Sequence, residues 1–355
     1  MIYGSRLIEL FALLERPAPQ GDALVLKASL VPGRPRMRIA KDSRARPALL
    51  ISVDELTDEA SPFIELTNFS YRSRTACLVD HDGITEQQTL AVLLCRAEDP
   101  GLQEWFLRTV GAIIGELAER MTQRELDLAV ERLVQLFLAL GRPSSSSIQG
   151  LWGELVLIAY SPDPTLLLTA WHADPMEPYD FVAGLARLEV KTARGSRREH
   201  HYSLDQLLCP EEVRLAVASI LVQPSPAGVT VGNLVDFIES RVAENPGVIA
   251  KLHEVVALTL GSDWHRAADH RFSVRPALES VVLFDGRQIP RVSPDLPPEV
   301  SDVRFKVEMW DLPVLDPLVV AEMGLWLAAS PSMQINLEQA HGGSEPSASR
   351  KASVP

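Results

Sequence analysis

The sequence predicts an α/β protein of the α+β kind, with a β-rich N-terminal domain, a mixed-sheet core flanked by helices and a strand-rich C-terminal segment. Three observations predict it. Short β-branched and aromatic runs fill the first 100 residues. From Leu102 to Leu140 apolar residues recur at three and four, as in two amphipathic helices. The middle of the chain then reads helix, strand, strand, helix, strand, an order that suits a mixed α/β core.

Taken in order, "MIYGSRLIELFALLER" is apolar but carries Arg6 and Glu9 inside the run, which suits an amphipathic helix and not a signal peptide. "PALLISV", "FIELTNFSY" and "TACLVD" are strand runs separated by Pro, Asp and Gly. "LQEWFLRTVGAIIGELAERM" and "QRELDLAVERLVQLFLAL" are the two helices, and "GRPSSSS" ends them. Ser146 followed by Gln149 fits a capping box that starts a third helix, "SIQGLWGELVLIAY". A Pro-rich loop leads to a hairpin. A second capping box, Ser203 to Gln206, opens the next helix, and "RLAVASILVQ" is an apolar strand. Helices are expected over 230–260, strands over 271–312 and a short helix near 316–329, before a polar tail from Pro331 expected to be disordered. The implied units are 1–100 (β-rich domain), 101–143 (helical connector), 144–262 (core), 263–330 (strand-rich segment and helix) and 331–355 (tail). There is no internal repeat.

Composition narrows the function. The chain has 355 residues, 46% of them hydrophobic and 23% charged, enough for about two globular domains. No apolar run approaches the roughly 18 residues of a membrane helix. The three cysteines, Cys77, Cys95 and Cys209, show no CxxC pairing and imply a reducing, cytoplasmic setting. The net charge of −13 argues against coating DNA by bulk electrostatics but leaves room for a local basic groove. Two basic clusters exist, at Lys27–Arg46 and Arg187–His201. The first reads equally well as a solvated loop. "DWHRAADH" offers His265, Asp269 and His270, but zinc needs a third or fourth ligand and none is obvious, so this is a helix end. There is no Walker loop and no GxSxG elbow.

One stretch carries chemistry: "DFVAGLARLEVKTA", residues 180–193. In a strand Glu189 and Lys191 share a face with Arg187 and Ala193, while Leu188, Val190 and Thr192 take the other. A two-residue turn of Gly184-Leu185 puts Asp180 across from Glu189; a turn of Ala183-Gly184 puts it across from Arg187. A three-residue turn pairs it with Leu188 and separates the carboxylates. In the first two registers the carboxylates meet, since cross-strand Cβ atoms lie about 4.5–5.5 Å apart. Repulsion between them is relieved by a hard divalent cation. Lys191 would stabilise charge building on an attacked phosphate and orient or deprotonate the attacking water. On spacing alone, an exposed salt-bridged hairpin is the commoner meaning of such a pattern. Glu154 shares a helix stripe with Gly150, Leu151 and Ile158, so it is a candidate inward carboxylate needing a cation or hydrogen bonds. Gln206 could bond near the same site or simply cap its helix.

These residues resemble the PD-(D/E)xK nuclease superfamily: Glu154 on a helix, Asp180 by a short strand, Glu189-Val190-Lys191 on its partner and Gln206 on the next helix. More narrowly, "QGLWGELVLI", "YDF", "LEVKTA" and "HHYSLDQL" are similar to an uncharacterised family grouped with PD-(D/E)xK members, one that resembles restriction-like nucleases and occurs in bacterial defence gene clusters. The motif-bearing part covers about residues 144–225. Tyr179 fills the slot before the metal-binding Asp, with Pro178 one further back, a departure in a position that shapes backbone only. The resemblance implies a restriction-endonuclease-like fold and a Mg²⁺-dependent DNA endonuclease, with Mn²⁺ as the alternative ion, in a restriction or phage-defence system. Asp180, Glu189 and Glu154 would hold the metal, with Lys191 and Gln206 completing the catalytic set. Arg194, Arg197, Arg198 and His200 would meet DNA phosphates. Expected partners are DNA and an ATPase or methyltransferase from the same operon, with a homodimer as a further option and no membrane. The competing reading is an inactive subunit that keeps the fold for DNA docking or assembly.

Overall fold

A computed structural model describes residues 3–330 except 22, 53–62, 82, 119–121, 141–143, 145, 146, 173–176, 294–296 and 298. The expected tail from Pro331 lies outside the described residues. After α1 (Tyr3–Leu13) the chain forms β1 (Val25–Val31), β2 (Arg34–Asp42), β3 (Pro47–Ile51), β4 (Ile64–Glu65), β5 (Phe69–His81) and β6 (Ile84–Cys95). Their order is β1-β2-β3-β6-β5-β4, and a parallel pairing of β1 with β5 closes five of them into a barrel. Two runs expected to be separate, "FSY" and "TACLVD", are one strand of 13 residues, β5, with a register shift between Arg72 and Thr75. Small residues and aliphatics, among them Leu26, Ala28, Ala40 and Ala48, fill the barrel. Its other face takes the apolar stripes of α1, α2 (Pro100–Glu116) and α3 (Gln123–Ala139), so that β3 is buried along its whole length. Asp99 caps α2, and Thr122 with Glu125 forms a capping box on α3.

The basic cluster Lys27–Arg46 is largely structural. Arg34 donates to the Leu117 and Gly115 carbonyls at the end of α2, Lys41 to the Leu14 carbonyl, and Arg46 pairs with Asp42 at 2.7 Å.

The second half contains α4 (Ile148–Tyr160), α5 (Pro164–Ala170), β7 (Phe181–Ala183), β8 (Ala186–Arg194), β9 (Glu199–Ser203), α6 (Leu204–Leu207), β10 (Arg214–Val222), β11 (Pro224–Val229), α7 (Val231–Arg241) and α8 (Pro246–Leu260). A 3-10 segment, Gly261–Ala268, α9 (Val274–Glu279), β12 (Val282–Asp285), β13 (Arg304–Glu308), α10 (Pro317–Glu322) and α11 (Gly324–Ala328) follow. Four strands make a mixed sheet, β12-β10-β8-β7, with β8 and β10 parallel. One face, with Leu188, Val190 and Ile220, packs on α4, which in turn packs on α7, in the largest core. The other bears Glu189, Lys191 and Val217 and lies beside a smaller core with Tyr179, Tyr202 and Met309, to which the β9–β13 ribbon contributes.

Four expectations need correction. The cap of α4 is Ser147, which accepts from Gly150 N, while Ser146 lies outside the described residues. The Pro-rich loop contains α5, started by Asp163 and Pro164. "SVRPALES" is helical, because Pro276 in its first turn fits a helix start better than a strand. The C-terminal helix is two short ones.

The α4–sheet contact is very close. A Cβ built on Gly153 would lie 2.3 Å from Thr192 Cγ2 and 3.7 Å from Val190 Cγ1. Gly153→Ala should therefore cost about 1–3 kcal/mol through overpacking. Thr192→Ser removes that methyl but keeps the hydroxyl that accepts from Gln149 Nε2 at 3.1 Å. In a denaturation double-mutant cycle the Ser change should recover most of the Gly153→Ala loss. Additive effects would show that the approach at Gly153 is not limiting.

Candidate active site

The hairpin takes the first of the expected registers. Phe181 pairs with Leu188, Val182 with Arg187 and Ala183 with Ala186, leaving Gly184-Leu185 as the turn. Gly184 has φ 57°, the left-handed value needed at the first central position of a type II′ turn. Continuing that register places Asp180, just before β7, opposite Glu189. Asp180 Oδ2 accepts from Val190 N at 2.7 Å, and its carbonyl accepts from His172 N at 2.9 Å. The backbone thus fixes Asp180 against the β8 strand that carries Glu189.

Glu189 and Lys191 project from the same face of β8, as alternation requires, with Lys191 Nζ 2.7 Å from Glu189 Oε1. Gln206 performs both roles left open for it. Its Oε1 accepts from Ser203 N at 3.2 Å in the capping box and from Lys191 Nζ at 3.3 Å. Its Nε2 donates to Glu189 Oε1 at 2.8 Å and to the Pro178 carbonyl at 3.2 Å. The Lys191 ammonium also lies 5.2 Å from the Tyr202 ring centre.

Glu154 reaches the same neighbourhood from α4. The helix is buried on nearly all sides, so the stripe that suggested Glu154 does not single it out. Gly153, next to it, supplies the close approach to the sheet. Glu154 Oε2 accepts from Trp171 Nε1 at 2.7 Å, and Trp171 stacks on Phe181 at 6.3 Å. The Trp171 backbone also bridges to Phe181. Trp171 escaped the sequence reading because it lies in a stretch taken for loop. The helix-start signal of Asp163-Pro164 could have marked that stretch as ordered.

Electrostatics tie the carboxylates together. Burial pushes Glu154 up to about 7; the Trp171 hydrogen bond opposes this, Glu189 adds to it and Lys191 opposes it. Burial, then Glu189, then Glu154 hold Asp180 well above the ordinary carboxylate range. Glu189 is also raised by burial, against the pull of Lys191. Three carboxylates therefore share one ammonium, and beyond the Asp180 backbone, which lowers the Glu189 pKa, Glu189 Oε2 is buried with no side-chain hydrogen-bond partner. That orphaned oxygen beside Asp180 is what a divalent cation would satisfy. Among the described residues no group of three or more His, Cys, Asp or Glu is arranged to hold a metal ion. A carboxylate pair is nevertheless a sufficient protein contribution for Mg²⁺, which keeps several waters and takes substrate phosphates as ligands. The residues fit the ion on that basis, with Asp180 and Glu189 as the pair and Glu154 contributing charge, its Oε2 held by Trp171.

The basic loop divides. Arg197 is largely exposed, 3.8 Å from Glu199, and Arg194 is exposed with its Nε donating to Gln149 Oε1 at 2.6 Å. Both line an open polar cleft of about 550 Å³ with Gln149, Thr192 and Ser196. Arg198 and His200, expected to contact phosphate, turn inward instead. Arg198 donates to the Ser219 carbonyl and hydroxyl at 2.8 Å and to the Ser280 carbonyl. His200 is 2% exposed, with Nε2 2.7 Å from Ser219 Oγ, and burial lowers its pKa to about 4. Alternation along β9 explains this, because His200 shares an inward face with Tyr202 while Glu199 and His201 face outward. In the "DWHRAADH" segment, His270 Nδ1 lies 2.9 Å from the Arg266 carbonyl at the end of the 3-10 segment.

The family model DUF4420, "Putative PD-(D/E)XK family member", matches residues 7–309. The chain belongs to that family. No curated protein and no solved structure matches the chain.

The raised carboxylates carry a stability consequence. A carboxyl whose folded pKa exceeds its unfolded value stabilises the fold below the unfolded value, and that stability is lost as pH rises through the folded one. For Glu154 the window runs from 4.5 to about 7. With chelator present, the melting temperature should fall as pH rises across this window. Glu154→Gln keeps an acceptor for Trp171 and cannot ionise, so it should flatten the fall and stabilise the protein at pH 8, by of order 1–3 kcal/mol. Unchanged pH dependence in the variant would show that Glu154 does not titrate there.

Proposed function

We propose that this PD-(D/E)XK family member is a metal-dependent DNA endonuclease, a component of a bacterial restriction or phage-defence system working in the cytoplasm. The observation that carries the reading is the buried Glu189 carboxylate: one oxygen is held by Lys191 and Gln206, and the other has no side-chain partner beside Asp180. A Mg²⁺ ion, or Mn²⁺ in its place, would bind Asp180 and Glu189, polarise the scissile phosphate and lower the pKa of bound water. Lys191 holds a positive charge where charge builds on the phosphate and orients the attacking water. Gln206 keeps both Glu189 and Lys191 in place. Glu154 adds negative charge that favours the cation. Arg194 and Arg197 grip the phosphate backbone along the open cleft. A partner from the same gene cluster, an ATPase or methyltransferase, would supply target choice. Among the described residues no helix is long and apolar enough to cross a membrane.

One observation favours a second reading, an inactive subunit that docks DNA. Glu189 and Lys191 are already closed on each other at 2.7 Å. Calorimetry with a plasmid-cleavage assay separates the two. Asp180→Ala should lower divalent affinity at least tenfold and abolish cleavage. Lys191→Ala should leave the ion bound as well or better, since a neighbouring positive charge is gone, while cleavage falls by about 10²–10³-fold. Wild-type protein that binds no Mg²⁺ or Mn²⁺ at millimolar levels with DNA present would leave only the second reading.

The basic loop gives a separate outcome. Arg194→Ala with Arg197→Ala should weaken binding to all sequences alike and reduce the salt slope by about 1 for each arginine. Arg198→Ala should instead lower the melting temperature, because its guanidinium donates to Ser219 and Ser280. An unchanged salt slope in the double variant would remove the loop from the DNA interface.

A further inference from the structure

We propose that the cleft where α2 meets α7 and α8 is a binding site for a small organic cation, an ammonium group carried on an apolar body. The cleft encloses about 260 Å³, and none of the residues lining it belongs to the candidate active site. Its walls are mostly apolar, with Trp105, Val235, Leu260 and Trp264 among them. Glu104, Arg108, Asp236 and His253 line it as well. Clefts of this make-up, apolar with a few convergent polar groups at a junction between structural units, are where small ligands bind.

The charges say which ligand. Arg108 lies 2.8 Å from Glu104, 2.7 Å from Asp236 and 3.4 Å from Glu239. A single guanidinium thus faces three carboxylates, and the balance is negative. Asp236 pairs with Arg108 yet is half exposed and lines the cleft, so its carboxylate stays accessible to a ligand there. Deeper in, His253 Nε2 and Glu239 Oε1 lie 2.7 Å apart, with side chains only 2% and 3% exposed. The two side chains partner each other, and His253 holds Glu239 below its ordinary range against the effect of burial. His253 lines the cleft, so this buried pair forms part of its charged wall. An ion cluster that merely pinned three helices together would need no cleft beside it. An anion would meet Glu104 and Asp236 and be repelled. A cation would pair with the accessible Asp236 carboxylate, and Trp105 and Trp264 in the wall offer aromatic rings to it.

The test uses the full chain with phenethylamine as probe, and phenethyl alcohol and phenylacetate as its neutral and anionic counterparts. Binding is read from the indole N–H resonances of Trp105 and Trp264. Gly232 in the first turn of α7 lines the cleft, and a Cβ there would meet only Thr230 Oγ1, at 3.6 Å. Gly232→Phe can therefore fill the space. Phenethylamine should shift both indoles saturably, with affinity about tenfold above the alcohol, a difference of about 1.4 kcal/mol. Asp236→Asn, at a half-exposed position the fold tolerates, should erase most of that preference. Gly232→Phe should abolish binding. No saturable shift, equal affinity for the alcohol or phenylacetate, an unchanged preference in Asp236→Asn, or binding that survives in Gly232→Phe would each overturn the proposal.

Discussion

Glu189 is the constraint on which the rest of the second half depends. Its carboxylate is 4% exposed in a sheet whose neighbours on that face are Tyr202, Leu215 and Val217. A buried carboxylate is tolerated only with partners. Lys191, two residues along the same strand, supplies charge; Gln206 supplies a donor from the first turn of α6. Gln206 must be presented at the right height, which the Ser203 capping box achieves. Asp180 must arrive opposite, which the II′ turn at Gly184 achieves. The local features of hairpin and helix start are thus requirements of one buried carboxyl group. Even so, its side-chain partners satisfy only one of its oxygens.

Glu154 enters the same balance from the opposite layer. Val190 and Thr192 face α4, and Gly153 lets the helix come so near that Glu154 helps to raise the Asp180 pKa. Trp171 holds Glu154 by its indole and leans on Phe181, the residue after Asp180. A single segment therefore fixes both carboxylates, through a side-chain bond to one and through the backbone beside the other. Catalytic geometry requires such support, because groups placed on rigid elements hold position better than groups on loops.

Much of this was legible in the chain. Gly184-Leu185 between two strand runs gives the register, and strand alternation puts Glu189 with Lys191. Ser203-x-x-Gln206 gives the helix start, and the two helices between barrel and core are plain from their period. What was hidden depends on tertiary contact. Ser146 and Ser147 are equivalent as sequence, and only the geometry chooses Ser147. "SVRPALES" has strand-like composition, yet the chain folds it as helix. Trp171 finds Glu154 seventeen positions away, a distance at which no local pattern speaks. His200 is the instructive miss. Its basic surroundings suggested phosphate, but the alternation in "EHHYS" already placed it with Tyr202, and the local period outweighs composition.

That division within the basic loop bears on how an acidic protein would hold DNA under the proposed function. With a net charge of −13, the long-range field repels a polyanion. Arg198 contributes little to offset it, because its guanidinium lies partly buried against the Ser219 and Ser280 carbonyls. The offset must come from exposed cations close to the bound backbone. At physiological ionic strength charges beyond about 8 Å are largely screened, so a few cations lining the cleft count for more than the distant acidic surface. Arg194 ends the strand that bears Glu189 and Lys191 and Arg197 follows it, both within that range of anything bound in their cleft. Charge-driven capture would then be weak and local. An endonuclease so built would grip DNA only where other contacts had already brought it, a limitation that suits an enzyme dangerous to its own genome.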